Sequence, residues 1–311
     1  MALNLHHLRL FTAVVDYGGF TKAAAALDLS QPAISKSLNE LERQLHLQLL
    51  RRGARSTALT PAGRLLYSRA RELFGVERAA EQELRELRGL KRGLLRIGAS
   101  ATISNYMLPA ILGRFHLRHP RVGVRVSTAN TRTVVRMLLE SRVDVGLVEG
   151  PVADARIEGR PWRDDALIVA APPDHPLVER QPVEPSALAG QTFLVREHGS
   201  GTRAITTRAL ARHGVRLHDT MRIGGTAAIK QAVAAGLGLA FVSRAAAADQ
   251  LALGRIVPLE VRGLEIRRTF TELRVRGRPV SGPALELQEL LADAGDDSAA
   301  GETSHDASGI A

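Results

Sequence analysis

Residues 27–45 read LDLSQPAISKSLNELERQL, and the apolar positions fall at Ile34, Leu38, Leu41 and Leu45. Steps of four, three and four place them on one face of an α-helix. Ser30 stands where an N-cap belongs, and Pro32 falls in the first turn, where no N–H is needed. The opposite face starts with Gln31, Ser35, Lys36 and Asn39, with no acid among them. Such a face is either merely solvated or shaped for a partner, and the pattern alone leaves both readings open. Upstream, Leu5, Leu8, Phe11, Thr12 and Val15 outline a first helix closed by Asp16-Tyr17-Gly18-Gly19, and FTKAAAALDL outlines a second. The alanines at 23–26 suit the close contact of a helix–turn–helix. LQLLRRGARSTALT then gives two short β-like runs around Gly53, a wing.

A second helical pattern follows Thr60-Pro61-Ala62-Gly63. Leu66, Leu73, Ala80 and Leu87 recur every seven residues, with Ala70, Val76, Leu84 and Leu90 on the adjoining stripe. The spacing predicts a helix over about 61–89 that is polar elsewhere. Its stripe needs cover, either from its own copy in a second chain or from the domain that follows. KRG at 91–93 marks a hinge into a different composition. LLRIGAS, VGVRVST and DVGLVEG read as buried strands, with helices near 105–118 and 131–141, a βαβ repetition that predicts a parallel sheet. The pattern changes phase at Trp162. ALIVAAPP, TFLVRE, the run through Met221-Arg222-Ile223 and LAFVS form a second set of strands, with helices near 202–213 and 226–235. FTELRVR (270–276) and the helix PALELQELL (283–291) come last. The layout this predicts is two small α/β subdomains, the second inserted into the first, with a cleft between them.

Length and charge narrow the picture. The 311 residues suffice for two or three domains with real cores. Mean hydropathy is −0.04, no apolar run reaches bilayer length, and MALNLHHLRLF lacks a signal-peptide layout. A globular protein of a bacterial-type cytoplasm, with no membrane partner, is therefore expected. The absence of cysteine removes disulfides, thiolate nucleophiles and Cys-ligated zinc. The formal charge is +10, and residues 1–93 hold 15 Lys/Arg against 9 Asp/Glu, leaving 27 against 23 for the remainder. Within 43–71 there are seven arginines and no acid, a field that attracts a polyanion such as nucleic acid. An arginine-rich proteome is the blander reading.

Over nearly its whole length, the tail excepted, the chain resembles a LysR-type transcriptional regulator. The resemblance rests first on LRLFTAVVDYGGFTKAAAALDLSQPAISKSLNELERQL. The wing RRGARSTALTPAG, GRFHLRHPRVGVRV, GSGTR at 199–203 and IKQAVAAGLGLAFVS at 229–243 support it. His46 and Leu50 stand where that family has Gly and Phe, and Leu fills a Phe site with some loss of packing. RIGASATISNYMLP, GLVEGPV and REHGSGTR are most similar to the branch controlling sulfur-assimilation or carbon-fixation genes. The implied fold class is α/β, with a winged helix-turn-helix (1–60) and a long linker and dimerisation helix (61–90). A periplasmic-binding-protein-like effector domain (91–293) completes it, with subdomain I at 94–161 and 267–293, subdomain II at 162–266 and a disordered tail at 294–311. The implied function is transcription regulation, with promoter binding modulated by a small anionic metabolite in the cleft.

The resemblance further implies that the helix from Gln31 enters the major groove of double-stranded promoter DNA. Residue chemistry agrees. Gln31 and Asn39 can make paired hydrogen bonds to base edges, and Ser35 and Lys36 can reach bases or phosphates. Arg52 and Arg55 on the wing suit the narrower groove or its phosphates. Ser30 bonds its own helix, a phosphate or both, Pro32 joins the contact set, and Thr21 and Lys22 open a helix whose N–H groups can face phosphate. For each, a solvated side chain is the alternative. Pairing through Leu66, Leu73, Ala80, Leu84 and Leu87 would put two such helices on a split palindromic site. The step from homodimer to homotetramer, and contact with RNA polymerase, come from the resemblance alone.

Four hydroxyl-bearing turns occupy the strand ends where such a cleft binds ligands. Ser100 and Thr102 follow the first strand, Thr131 follows the second, Ser200-Gly201-Thr202 opens one helix and Thr226 another. Together with helix-start N–H groups they fit an anion, with Arg196 or Arg203 as counter-charge. Glu149 argues the other way unless it gates specificity or pairs with an arginine. Plain helix capping is the competing account of every hydroxyl. Catalysis is not expected, since HExxH, Walker A, GxSxG and GxGxxG motifs are absent. His6 and His7, read as preceding the first helix, and His116 and His119 at a helix end suggest neither catalysis nor a metal, and no cofactor is expected. A solute-binding protein sharing only the cleft would not need the basic N-terminal domain.

Overall fold

In the computed structural model, which describes residues 3–51, 58–87 and 93–302, residues 1–81 with 139–142 form one unit and the rest another. The first unit begins with α1 (Leu5–Asp16), whose cap Asn4 accepts hydrogen bonds from His6 N and His7 N at 2.9 and 3.2 Å. Both histidines thus lie inside the first turn and not ahead of it, as an apolar stripe that begins at Leu5 and an Asn4 cap require. Next come α2 (Phe20–Leu27), α3 (Gln31–Leu45) and α4 (Pro61–Leu87). Ile34, Leu38 and Leu41 bury the apolar stripe of α3 against Leu8 and Phe11 of α1 and Ala23 of α2. Each large aliphatic side chain so buried stabilises the unit by about 1.5–3 kcal/mol. Of the alanines of α2 only Ala23 and Ala24 are buried, so the close approach uses one half of the expected run.

The wing starts as expected. Leu50 and Leu59 form an antiparallel bridge, and Arg51 N donates to Ala58 O at 2.9 Å. Leu50 is buried, while residues 52–57 lie outside the described residues. His46 caps α3 in the left-handed region at φ 51°, a conformation that glycine adopts freely and that strains a residue with a Cβ by about 1–2 kcal/mol. Helix α4 is clamped onto α1. Arg9 lies 4.4 Å from the Phe74 ring centroid and donates from Nη2 to both Glu77 oxygens at 2.7 Å, and Asp16 accepts from Tyr67 Oη and, at 2.7 Å, from Arg71 Nη1. Burial and the adjacent Asp16 carboxylate push the Tyr67 phenol well above its usual range.

The second unit is built on one mixed sheet of β1 (Gly93–Ala99), β2 (Val122–Thr128), β3 (Val145–Glu149), β4 (Ile157–Ala171), β5 (Thr192–Val195), β6 (Asp219–Arg222), β7 (Leu239–Ser243), β8 (Val257–Leu259) and β9 (Ile266–Val275). The order is β2-β1-β3-β9-β4-β7-β5-β6, with β8 also paired to β4. Parallel ladders join β1 to β2 and β3, and β5 to β6 and β7. The βαβ strands β1, β2 and β3 are parallel as expected, and the antiparallel strands β4 and β9 run through both halves and join them into one sheet. The phase change at Trp162 is a β-bulge inside β4, beside Pro161, which has no N–H for the ladder. Strand β4 therefore starts at Ile157, ahead of the expected ALIVAAPP, its exposed 158–161 segment masking the alternation.

Helices α5 (Leu108–Arg118) and α10 (Gly282–Glu302) cover one core with Ile97, Leu147, Trp162 and Phe270. α6 (Thr131–Leu139) follows β2. In the other half, α7 (Gly201–Arg212) packs against Phe193 and Phe241 through Leu210, and α8 (Thr226–Ala234) and α9 (Arg244–Ala252) pack against Ala170 and Val242. The tail expectation needs correction. α10 continues through 294–302, since Ala294 still reaches the core, and residues 303–311 lie outside the described residues.

Candidate functional site

The polar face of α3 stands free. Gln31, Pro32, Lys36 and Asn39 are exposed and Ser35 half-buried. Among the described residues, none of the side chains of Gln31, Ser35, Lys36 and Asn39 makes a hydrogen bond within the chain. Both acids of α3 are engaged internally. Arg43 holds Glu40 at 2.6 and 3.0 Å, which keeps that carboxyl below its usual range, and Glu42 Oε1 accepts from Leu49 N at 2.7 Å and Leu50 N at 3.2 Å. Glu42 therefore ties the helix to the start of the wing and presents no repulsive charge on the face. Ser30 Oγ accepts from Ala33 N at 3.3 Å, so its capping role is real, and it stays exposed. Thr21 and Lys22 are exposed in the first turn of α2. Arg52 and Arg55 lie outside the described residues.

On α4, Leu73, Ala80 and Leu84 are exposed, as are Leu65 and Val76. Leu66 departs from the expected seam. It leans on the core of its own unit beside Ala70 and Phe74, and Leu65, one position earlier, takes the outer stripe. Leu66, Ala70 and Phe74 form an i, i+4, i+8 row that this unit's own core takes up. The side chain of Leu87 lies outside the described residues.

The second site gathers where β1, β3, α7 and α8 end or begin. Ser100, Thr102, Thr131, Ser200, Thr202 and Thr226 are all buried, as are Glu149 and Arg196. Thr102 Oγ1 and Thr226 Oγ1 meet at 3.1 Å across the two halves. Thr131 Oγ1 donates to Glu149 O at 3.1 Å, Ser100 Oγ accepts from Ile103 N at 3.3 Å, and Ser200 Oγ accepts from Arg203 N at 3.5 Å. Ser100 and Ser200 are thus caps, as the plainer account requires. Arg196 grips Glu197 at 2.8 and 2.9 Å and reaches Thr226 Oγ1 at 3.2 Å. Burial raises the Glu197 carboxyl, but the bond from Arg196 and the charges of Arg196 and Arg203 more than reverse this, leaving it below its usual range. Arg203 donates to Arg196 O at 3.0 Å, so of the two arginines Arg196 is the one engaged with the hydroxyl cluster. Gly201 abuts β3 so closely that a Cβ would fall 1.5 Å from Glu149 O.

Glu149 does pair with an arginine, and the sequence reading missed which. Arg268 Nη1 lies 3.5 Å from Glu149 Oε1 and donates to Thr202 Oγ1 at 2.8 Å, while its Nε donates to Asp165 Oδ2 at 2.6 Å. Asp165 and Arg268 are cross-strand neighbours on β4 and β9, and Ser243 Oγ donates to Asp165 at 2.7 Å. Lys230, also missed, is buried on α8, donates to Ala246 O and lies 4.1 Å from the Tyr106 ring centroid. No group of three metal-ligating side chains occurs among the described residues.

Two family models match the chain. The bacterial regulatory helix-turn-helix, lysR family, matches residues 5–64, and the LysR substrate binding domain matches residues 88–296. A RuBisCO operon transcriptional regulator of Allochromatium vinosum is 36% identical over 94% of this chain and 96% of its own length. The regulator CysL of Bacillus subtilis is 33% identical over 85% and 88%. Among solved structures, the regulatory domain of CcmR from Synechocystis in complex with 2-PG superposes with TM-score 0.62 at 26% identity, covering 66% of this chain and 99% of that one. CbnR bound to its target DNA superposes with TM-score 0.65 at 20% identity over 94% and 99%, a likeness of fold.

Proposed function

The chain belongs to the LysR family of bacterial transcriptional regulators, in its carbon-fixation and sulfur branch, and from that premise we propose how its parts work. It is a DNA-binding regulator with an effector-binding domain and not an enzyme. In our reading the division follows the expected limits: DNA-binding domain 1–60, linker helix 61–90 and effector domain from 91, now extended through α10. Gln31, Ser35 and Asn39 read bases, with Pro32 beside them. Lys36, Thr21, Lys22, Arg52 and Arg55 hold phosphates. Two copies pair along Leu73, Val76, Ala80 and Leu84, setting two α3 helices on a split palindromic promoter site, with tetramers and contact with RNA polymerase beyond that, in the cytoplasm.

The observation that carries the DNA reading is the acid-free face of α3, whose own acids are occupied by Arg43 and the wing. A gel shift of the full chain on its own promoter region tests it. We expect a complex whose affinity falls steeply with salt, and absence of any complex in dilute buffer would overturn the reading. The effector sits among Ser100, Thr102, Thr131, Glu149, Arg196, Ser200, Gly201, Thr202 and Thr226, and is a small anion. Supporting this, the buried hydroxyls cluster at the N-termini of α7 and α8, whose N–H groups favour negative charge. The CcmR relative is seen with 2-PG. Binding flexes β4 and β9, the strands common to both halves, and so alters the grip on DNA. Thermal shift of the full chain with a panel of small acids and oxyanions, 2-PG included, tests this, and no shift with any member would overturn it.

A further inference from the structure

We propose that the effector is a small anion that carries an O–H group beside its charged oxygens, so that it donates one hydrogen bond as well as accepting several. This rests on the reading of the hydroxyl cluster as the effector site. The hydroxyls there cannot set such a requirement, because Ser and Thr donate or accept by rotating one bond. Two groups in the cluster have fixed roles. An arginine only donates, and an ionised carboxylate only accepts.

Those two groups are Arg268 and Glu149, whose side chains are 1% and 2% exposed. Arg268 uses Nε on Asp165 and Nη1 on Thr202 and Glu149, and its Nη2 has no partner among the described residues. Glu149 receives Nη1 on Oε1 at the long distance of 3.5 Å, and its Oε2 likewise has no partner among the described residues. An unmet donor and an unmet acceptor therefore belong to one ion pair, deep in the cluster that Thr131 and Thr202 complete. Buried polar atoms of native proteins find partners, so this pair is laid out for a visitor offering one group of each kind.

A donor-free oxyanion answers only half of that layout. It can take Nη2, but it sets negative oxygens against the Glu149 carboxylate and leaves Oε2 unmet. An anion with an adjacent hydroxyl gives its oxygens to Arg268 and its proton to Glu149. The shared chemistry covers 2-hydroxycarboxylates and hydrogen-bearing oxyanions, and matched probes tell them apart.

The test is calorimetric titration of the full chain at pH 7 with glycolate against acetate, and with hydrogen phosphate against sulfate. The O–H member of at least one pair is expected to bind about ten- to a hundredfold more tightly. Glu149→Gln, which offers an amide donor where the carboxylate accepted, should erase that margin and raise the affinity for the donor-free member. The wild-type comparison stands even where this variant folds poorly. Equal affinity within both pairs, or preference for acetate and sulfate, would overturn the donor requirement and leave the anion site in place. Failure of all four probes, with promoter binding intact, would overturn the anion site and the inference with it.

Discussion

The face of α3 and the cluster around Arg268 use polar side chains in opposite ways. On the acid-free face of α3, Gln31, Lys36 and Asn39 are exposed and unengaged, and the order beneath them comes from Ile34, Leu38 and Leu41. In the cluster nearly every polar group is buried and already bonded to another. A partner meeting α3 displaces only water, whereas a ligand entering the cluster must exchange protein hydrogen bonds for its own. The first arrangement is suited to a large, flat, water-covered surface such as duplex DNA. The second rewards only a ligand that re-satisfies what it disturbs, which favours selectivity over breadth.

That contrast can be broken most severely at Arg268. Its replacement in Arg268→Met leaves Asp165 and Glu149 buried without their cation, and the second unit should lose about 3–5 kcal/mol of stability in urea unfolding. An unchanged midpoint would show that the cluster is not the tight ionic knot described. Gln31→Ala should do the reverse, with stability within about 0.5 kcal/mol of the parent but specific DNA affinity reduced by about 1–3 kcal/mol in titrations with promoter duplex. A stability loss comparable to that of Arg268→Met would erase the distinction. Lys36→Ala should weaken binding to all sequences alike and lower the salt slope by about one, read from the dependence of affinity on salt. The mildest effect concerns Glu197. Its folded pKa lies below the usual 4.5, so its contribution is present above that value and fades as pH falls through the folded one. The stability difference between the parent and Glu197→Gln should therefore shrink between pH 6 and pH 3 in urea unfolding.

The two regions also differ in how readable they are. The α3 face could be read from residues 27–45 because a helix converts spacing directly into sides, and a missing acid is visible as a letter. The hydroxyls were legible for a related reason, since caps follow strand ends in sequence. Arg268 and Asp165 were not, because their meeting depends on the antiparallel register of β4 and β9, a hundred residues apart in the chain and offset by a bulge. Within RRTFTEL nothing separates Arg268 from a surface arginine. Leu66 and Leu65 show a smaller failure of the same kind, where a seven-residue repeat fixed the stripe but not which neighbour points inward. The helical end of α10 was missed because small and acidic residues there look like linker, while one alanine keeps its footing in the core.

For the switch proposed above, Gly201 carries a consequence of its own. The carbonyl of Glu149 rests where its side chain would begin, so the end of β3 and the start of α7 meet backbone on backbone, with no cushion between. A single methyl there would act as a doorstop. Gly201→Ala would hold the jaws ajar, leaving a repressor or activator deaf to its signal while its grip on the promoter persisted.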